Sequence, residues 1–491
     1  MAQARVVVVD KMGRRWETRT DDKGDYRIEL VAPTAPAPPL LIAANEAGND
    51  NCLRVDRPRA RCMSALLGGL TGKGEAVANV NPLTDWIVSK VAVEMNLLGP
   101  QQLVEKGTTA EVANEGLAQQ QATFRALWKG VLAEAKIAGA ATFDPVTRPI
   151  PADHRGVDGL FDLLHHNRGY DRNTGESATT LLTDLSFRPI TGGEDEENFE
   201  PLQVKRNQQE RRSLQAAQTR VLIVGDSTAA SYEKARFPRL GWGQVFETRF
   251  KPAAKVKVQN GARAGRSSRD FFMAGWYGQV ARYLRKGDYL LIQMGHNDQN
   301  CNARKPDRGM ADVANLCTYP NNDKGERQFP VGQPGLSFQT NLERYIDLAR
   351  VAGAIPVLLT PTARVLDENK KPGVPAVPSH VTRDDPQKAV LFVGDYAQTV
   401  RDTAKANHVP LIEIEEASRA WVNRLGDPAW KDYYLVVDPA KHPYYQTHPG
   451  GTIDKPDTTH FQARGAKAIA NMVVAGIKAN PALGRLASLL K

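Results

Sequence analysis

Cysteine is scarce in this chain, and long apolar runs are missing. Four cysteines occur in 491 residues, none of them in a CxxC pair, so a structural zinc or a dithiol redox site has no ligand set here. No HExxH and no cluster of carboxylates points to a catalytic metal, and no cofactor is expected. No uninterrupted apolar segment approaches the roughly 18 residues that cross a bilayer. The N-terminus "MAQARVVVVDKMGRRW" lacks the apolar core and cleavage pattern of a signal peptide. What cysteine there is falls in two locally spaced couples, Cys52 with Cys62 and Cys301 with Cys317. Two short disulfide loops are the natural reading, with four separate buried thiols as the alternative. A loop of about 15 residues closed this way contributes roughly 3 kcal/mol in the chain-entropy model. Such bonds persist outside the reducing cytosol, so a secreted, periplasmic or cell-surface protein is expected, its signal absent from this sequence.

Apolar residues make up 41% and charged residues 24% of the chain, an ordinary globular balance. The net charge of +9 favours an acidic partner. The basic residues are scattered, and the densest stretch, "VKRNQQERRSLQAAQTR" from Val204 to Arg220, has no interleaved aromatics. Nucleic acid is therefore not the expected partner; an acidic polysaccharide fits the charge.

Four regions differ in pattern. Residues 1–78 read as short strands with polar turns between them, and residues 79–190 carry long helical periodicities, as in "TAEVANEGLAQQQATFRALWKGVLAEAKIAG". Residues 191–218 run from acidic to basic with few large apolar side chains and read as a linker. From 219 to 491 short β-branched runs alternate with amphipathic segments: "RVLIV", "KVKVQN", "YLLIQM", "IPVLLT" and "VPLIEI". That alternation predicts an α/β domain with a five-stranded parallel sheet covered on both faces by helices. Ligands of such sheets lie beyond the carboxyl ends of the strands.

Four polar pieces fall at that edge: "GDST" after the first run, "NGARAGRSSRDF" after the second, "GHNDQ" after the third and "DTTHFQARGAKAIA" before the last helix. Together they supply what a serine esterase needs. Ser227 is the candidate nucleophile, His460 its base, and Asp457, three residues earlier, the carboxylate that holds the imidazole. The N–H groups of Ser227 and Gly265 and the Asn297 amide are candidate oxyanion donors. Each has a plainer alternative: a helix cap at Asp226 and Ser227, a turn at Gly265, a loop contact at Asn297, a structural pair at Asp457 and His460. Their joint arrival at one edge favours catalysis.

In order, the four pieces resemble the four blocks of the SGNH or GDSL hydrolases, from Arg220 to about Asn480. The resemblance implies a flavodoxin-like three-layer α/β/α fold, Ser227, Asp457 and His460 as the triad, and Ser227, Gly265 and Asn297 as the oxyanion hole. "AGRSSRDF", "LLTPTAR" and "DTTHFQARGAKAIA" are most similar to rhamnogalacturonan acetylesterases, which implies removal of O-acetyl groups from a plant cell-wall polysaccharide. "TDDKGDYRIEL" resembles carboxypeptidase-regulatory-like β-sandwiches. Long insertions at 300–334 and in "VDPAKHPYYQTHPGGTIDKP" are expected to overhang the site. Asp226, Arg266, Trp242 and Tyr444 are candidate substrate contacts, with Arg263, Arg269, Trp276 and Tyr445 as further ones. His296 is given no catalytic role. A lipid or thioester hydrolase, and a carbohydrate-binding surface protein with a vestigial hydrolase domain, are the alternative functions.

Overall fold

The computed structural model describes residues 1–31, 35–46, 61–70, 75–170, 177–191, 200–299, 324, 326, 337–382 and 394–491. Cys52, Cys301, Cys317 and the insertion at 300–334, apart from Lys324 and Glu326, lie outside them. The chain divides into two compact units: residues 1–192, 199–211 and 273–282 form the first, and 193–198, 212–272 and 283–491 the second.

In the first unit β1 (Arg5–Val9), β2 (Arg15–Arg19), β3 (Leu40–Asn45) and β4 (Cys62–Leu67) make one antiparallel sheet in the order β2-β1-β3-β4. Period-two alternation sorts its faces. Val6, Val8, Leu40 and Ile42 pack with Trp16, Tyr26 and Ile28 on one side. Leu41 and Leu66 join Trp86, Ile87, Phe124 and Trp128 of the helices Pro82–Glu94 and Ala110–Glu134 on the other. Where two facing sheets were expected, the described residues hold one sheet with a helical cover. Cys62 is buried and is not a free thiol.

The helix Pro82–Glu94 opens on a capping box, Asn81 accepting from Thr84 N and Thr84 Oγ1 from Asn81 N, with Pro82 at its first position. Its Asp85 is fully buried. The carboxylate accepts from Ser64 N at 2.6 Å, Ser64 Oγ at 2.8 Å, Thr180 Oγ1 at 2.8 Å and Arg168 Nε at 2.9 Å, and lies 2.8 Å from His166 Nε2. Arg168 and His166 come from the hairpin of β5 (Leu164–Tyr170) and β6 (Ser177–Asp184). A buried charge needs such saturation to be tolerated. This one ties the sheet, the helix and the hairpin together.

The second unit is built on β7 (Thr219–Gly225), β8 (Val256–Asn260), β9 (Tyr289–Gln293), β10 (Ile355–Leu359) and, after a short pair β11 (Val381–Thr382) and β12 (Gly394–Asp395), β13 (Leu411–Ile412). All five sheet strands are parallel, in the order β13-β10-β9-β7-β8. This is the flavodoxin-like order, whose switch point lies between the first and third strands, here β7 and β9. Val221, Ile223, Leu291, Val357 and Leu359 pack on one face with Trp242, Phe246, Ile469 and Val473. The helices Phe338–Val351 and Tyr396–Ala406 cover β10 from the other, completing three α/β/α layers. The sheet edge at β13 is two residues long where the apolar run "VPLIEI" suggests six. Residues 273–282, between β8 and β9, belong to the first unit.

Candidate active site

At the switch point β7 ends on Gly225, which stands opposite Gln293, the last residue of β9. A Cβ on Gly225 would sit 2.8 Å from the Gln293 carbonyl oxygen, so the strand end admits only glycine without a shift. Asp226 is fully buried, and its Oδ1 accepts from Thr228 N at 2.9 Å and Thr228 Oγ1 at 2.8 Å. Ala229 N and Ala230 N both bond to the Asp226 carbonyl, which closes a tight turn through Ser227. No helix follows directly, so the plainer alternative of a helix cap at Ser227 does not hold: Asp226 caps the turn and Ser227 rides at its apex. Among the described residues no acceptor pairs with the Ser227 N–H.

Below the turn lies a polar chain. Gln293 Nε2 donates to Thr228 Oγ1 at 2.9 Å, and Trp242 Nε1 donates to Gln293 Oε1. Trp242 is fully buried, edge-on to Phe246. These contacts overturn two expected substrate contacts: Asp226 and Trp242 hold the serine turn from inside and offer no face to a ligand. Burial pushes the Asp226 carboxyl up to about 6 against the Thr228 hydrogen bonds.

Ser227 Oγ lies 2.8 Å from His460 Nε2, and His460 Nδ1 lies 2.6 Å from Asp457 Oδ2. The other Asp457 oxygen accepts from Thr459 N at 2.8 Å and His460 N at 3.0 Å. Main-chain bonds Leu435 N to His460 O, 2.8 Å, and Leu240 N to Phe461 O, 3.0 Å, hold the histidine segment on both sides. Burial, then the Arg239 charge, pulls His460 below its ordinary value, outweighing the pull of Asp457 in the other direction. Burial acts to raise the Asp457 carboxyl, but the His460 charge and the N–H donors win, and it ends well below the usual carboxylate range. The resting pair is thus carboxylate beside neutral imidazole, the protonation state a general base requires.

Gly265 follows β8 at φ 71°, in the left-handed region that glycine tolerates. Asn297 follows β9, and its Nδ2 donates to the Arg266 carbonyl at 3.2 Å, linking the two turns. Asp298 Oδ1 strengthens the link by accepting from Ser268 N at 2.9 Å and Ser268 Oγ at 2.6 Å. The pieces after β7, β8 and β9 and before the helix Ala463–Ala479 therefore meet at one strand edge. Arg263, Arg266 and Arg269 are all buried, not displayed on the loop. Tyr444 is half-buried, its ring stacked on His448 at 4.1 Å and capped by the Arg236 guanidinium at 5.0 Å. Tyr445 is buried, its hydroxyl donating to the Arg236 carbonyl at 2.7 Å. Trp276 is buried and belongs to the first unit.

Several groups near the triad have no motif to announce them. His296 contacts Thr362 Oγ1 and His380 Nε2, each at 3.1 Å, and burial keeps both imidazoles far below their ordinary value. Arg364 donates to the His296 carbonyl at 3.0 Å. Tyr232 donates to the Ser227 carbonyl at 2.7 Å and accepts from Arg239 Nη2 at 3.0 Å. His296, in "GHNDQ", and Arg364, in "LLTPTAR", stand inside stretches singled out by sequence, but neither is given a role there. Among the described residues no group of three or more His, Cys, Asp or Glu side chains is arranged to hold a metal, and no helix is long and apolar enough to cross a membrane.

The family model for GDSL-like lipases/acylhydrolases matches residues 221–473. The chain is 30% identical over 259 residues to rhamnogalacturonan acetylesterase RhgT of Bacillus subtilis, covering 52% of this chain and 89% of that protein. It is 28% identical over 258 residues to the probable rhamnogalacturonan acetylesterase YesY of the same organism, covering 52% and 92%. A solved structure of a mutant of Axe2, an acetylxylan esterase from Geobacillus stearothermophilus, aligns with 53% of this chain and 94% of that one at 14% identity and a TM-score of 0.31. On the family match and the identity to RhgT, the chain belongs to the GDSL-like lipase/acylhydrolase family and is a carboxylic ester hydrolase.

Proposed function

We propose that this protein is a serine acetylesterase that removes O-acetyl groups from an acidic plant cell-wall polysaccharide of the pectin or rhamnogalacturonan type. One observation carries the chemistry: the continuous relay from Ser227 Oγ through the His460 ring to Asp457, at 2.8 and 2.6 Å. His460 Nε2 takes the hydroxyl proton as Ser227 Oγ bonds to the acetyl carbonyl carbon. The resulting oxyanion is met by the N–H groups of Ser227 and Gly265 and by the Asn297 amide. Collapse breaks the ester bond, and the sugar oxygen leaves with the proton from His460. Water, giving a proton to the same nitrogen, then hydrolyses the acetyl-serine to acetate. The substrate class is supported by the names of the relatives and by the net charge of +9. Action on such a polymer places the protein outside the cytosol.

Acetate release from acetylated pectin, rhamnogalacturonan, xylan and chitin oligomers tests this reading. The expected result is release from the pectic substrates above the others, abolished in Ser227→Ala with the fold retained. Preference for nitrophenyl esters of eight carbons or more, or full activity in the alanine variant, contradicts it.

A further inference from the structure

Beside the triad stands a guanidinium that touches no carboxylate among the described residues. Arg239 precedes Leu240, whose N–H bonds to the Phe461 carbonyl at 3.0 Å, and bridges Gln462, two residues beyond His460. Its Nη2 donates to the Tyr232 hydroxyl at 3.0 Å and its Cζ lies 4.4 Å from the centre of that ring. The same hydroxyl reaches the Ser227 carbonyl. Four arginines of this unit sit against carboxylates: Arg220 with Asp288, Arg236 with Glu233, Arg401 with Glu413 and Arg419 with Glu415. Arg239 has no carboxylate oxygen within 4 Å among the described residues, and its Nε is buried with no partner. Arg364 also lacks a carboxylate, but it is occupied in holding the His296 carbonyl.

Tyr232 and, through space, Asp457 offset the burial of this charge, yet no carboxylate touches it, and a cation held so beside a reacting centre is the kind of local exception that function explains. A phenol hydroxyl and a ring face occupy one donor and one face of Arg239; its Nε is buried, so on this half-buried side chain the remaining terminal N–H donors are the ones left for a ligand. Planar carboxylates match that fork.

We propose that Arg239 is the carboxylate-recognition residue of this esterase, binding the uronate group of the sugar that carries, or adjoins, the acetyl ester. The inference rests on the acetylesterase reading above and names the residue that makes an acidic glycan the preferred ligand.

The test uses the full chain and inhibition of 4-nitrophenyl acetate hydrolysis by oligogalacturonate and by its fully methyl-esterified, neutral counterpart. A charge-assisted pair predicts that the acid inhibits at a concentration about tenfold to a hundredfold lower than the methyl ester. In Arg239→Gln that ratio falls toward one, and in Arg239→Lys part of it remains. Equal inhibition by the two oligomers in the unaltered protein, or an unchanged ratio in Arg239→Gln, overturns the proposal. If the glutamine variant turns over too slowly to inhibit, calorimetric binding of the two oligomers gives the same ratio. The readout needs no acetylated glycan, so its failure is separable from a failure of the acetylesterase reading, which would appear as no acetate released from any polymer.

Discussion

Replacing Asp457 by asparagine isolates what the carboxylate does for His460. The shapes match, so packing is unchanged, but one oxygen becomes an NH2 group. Asp457 Oδ1 accepts from two main-chain N–H groups, at 2.8 and 3.0 Å. An asparagine that keeps its oxygen there turns its NH2 toward His460 Nδ1, which lies 2.6 Å from the other position. A donor at that point makes Nδ1 an acceptor and moves the ring proton to Nε2, the atom 2.8 Å from Ser227 Oγ. The base then has no lone pair for the serine proton. The opposite amide orientation restores the tautomer but gives up both main-chain bonds, at about 1 kcal/mol each plus the clash of N–H against N–H, so it is the minor form. A wrong tautomer in this arrangement lowers kcat about 10⁴-fold, equivalent to about 5 kcal/mol of barrier. Turnover of 4-nitrophenyl acetate by Asp457→Asn, alongside a melting curve matching the parent protein, measures it. A loss smaller than about tenfold in a folded preparation would refute the reasoning, because it would mean that Asp457 does not set the tautomer.

Asn297→Ala removes one proposed oxyanion donor together with the bond to the Arg266 carbonyl; kcat should fall by about 10²–10³, and a change confined to KM would assign Asn297 to binding instead. The kcat/KM profile should rise with pH through a single inflection below 6.5, since His460 must be neutral to act and burial with the Arg239 charge pulls it down; an inflection above 6.5 contradicts the assignment. In Arg239→Gln the same inflection should move up, because the second of those two causes is gone. Asp85→Ala in the first unit leaves the Arg168 guanidinium buried without its carboxylate and should destabilise that unit by about 3–5 kcal/mol, read as a lower urea midpoint for its own transition; a shift equivalent to less than about 1 kcal/mol would mean that water or another group replaces the carboxylate.

The strand pattern and the four loop pieces were legible for a common reason. A buried parallel strand is apolar throughout, so each run announces its own end, and the chemistry of the loop begins at the next polar residue. Glycine at 265 and the three-residue spacing of Asp457 and His460 are properties of single segments, and both survive into the structure: a positive φ at one, a carboxylate on the ring and on the following N–H groups at the other. Direction is what a segment does not carry. Asp226 and Ser227 are neighbours of similar polarity, yet one is fully buried as the cap of the turn and the other carries the hydroxyl at its apex. The difference is made by Gln293 and Thr228 from beneath.

Arg239 shows the converse. It lies in "RFPRLGW", between two recognised blocks, and no motif includes it. Its place beside His460 depends on a bridge between residues more than two hundred positions apart, Arg239 with Gln462. Sequence pattern reports how a segment relates to solvent. The lack of a counter-ion is a relation among segments, and becomes visible only when every carboxylate around the group has been located. The proposed catalytic set, spread over three strand ends and the loop before the helix Ala463–Ala479, can be read from its local signatures, while the residue proposed to choose the substrate is a cation that touches no carboxylate among the described residues.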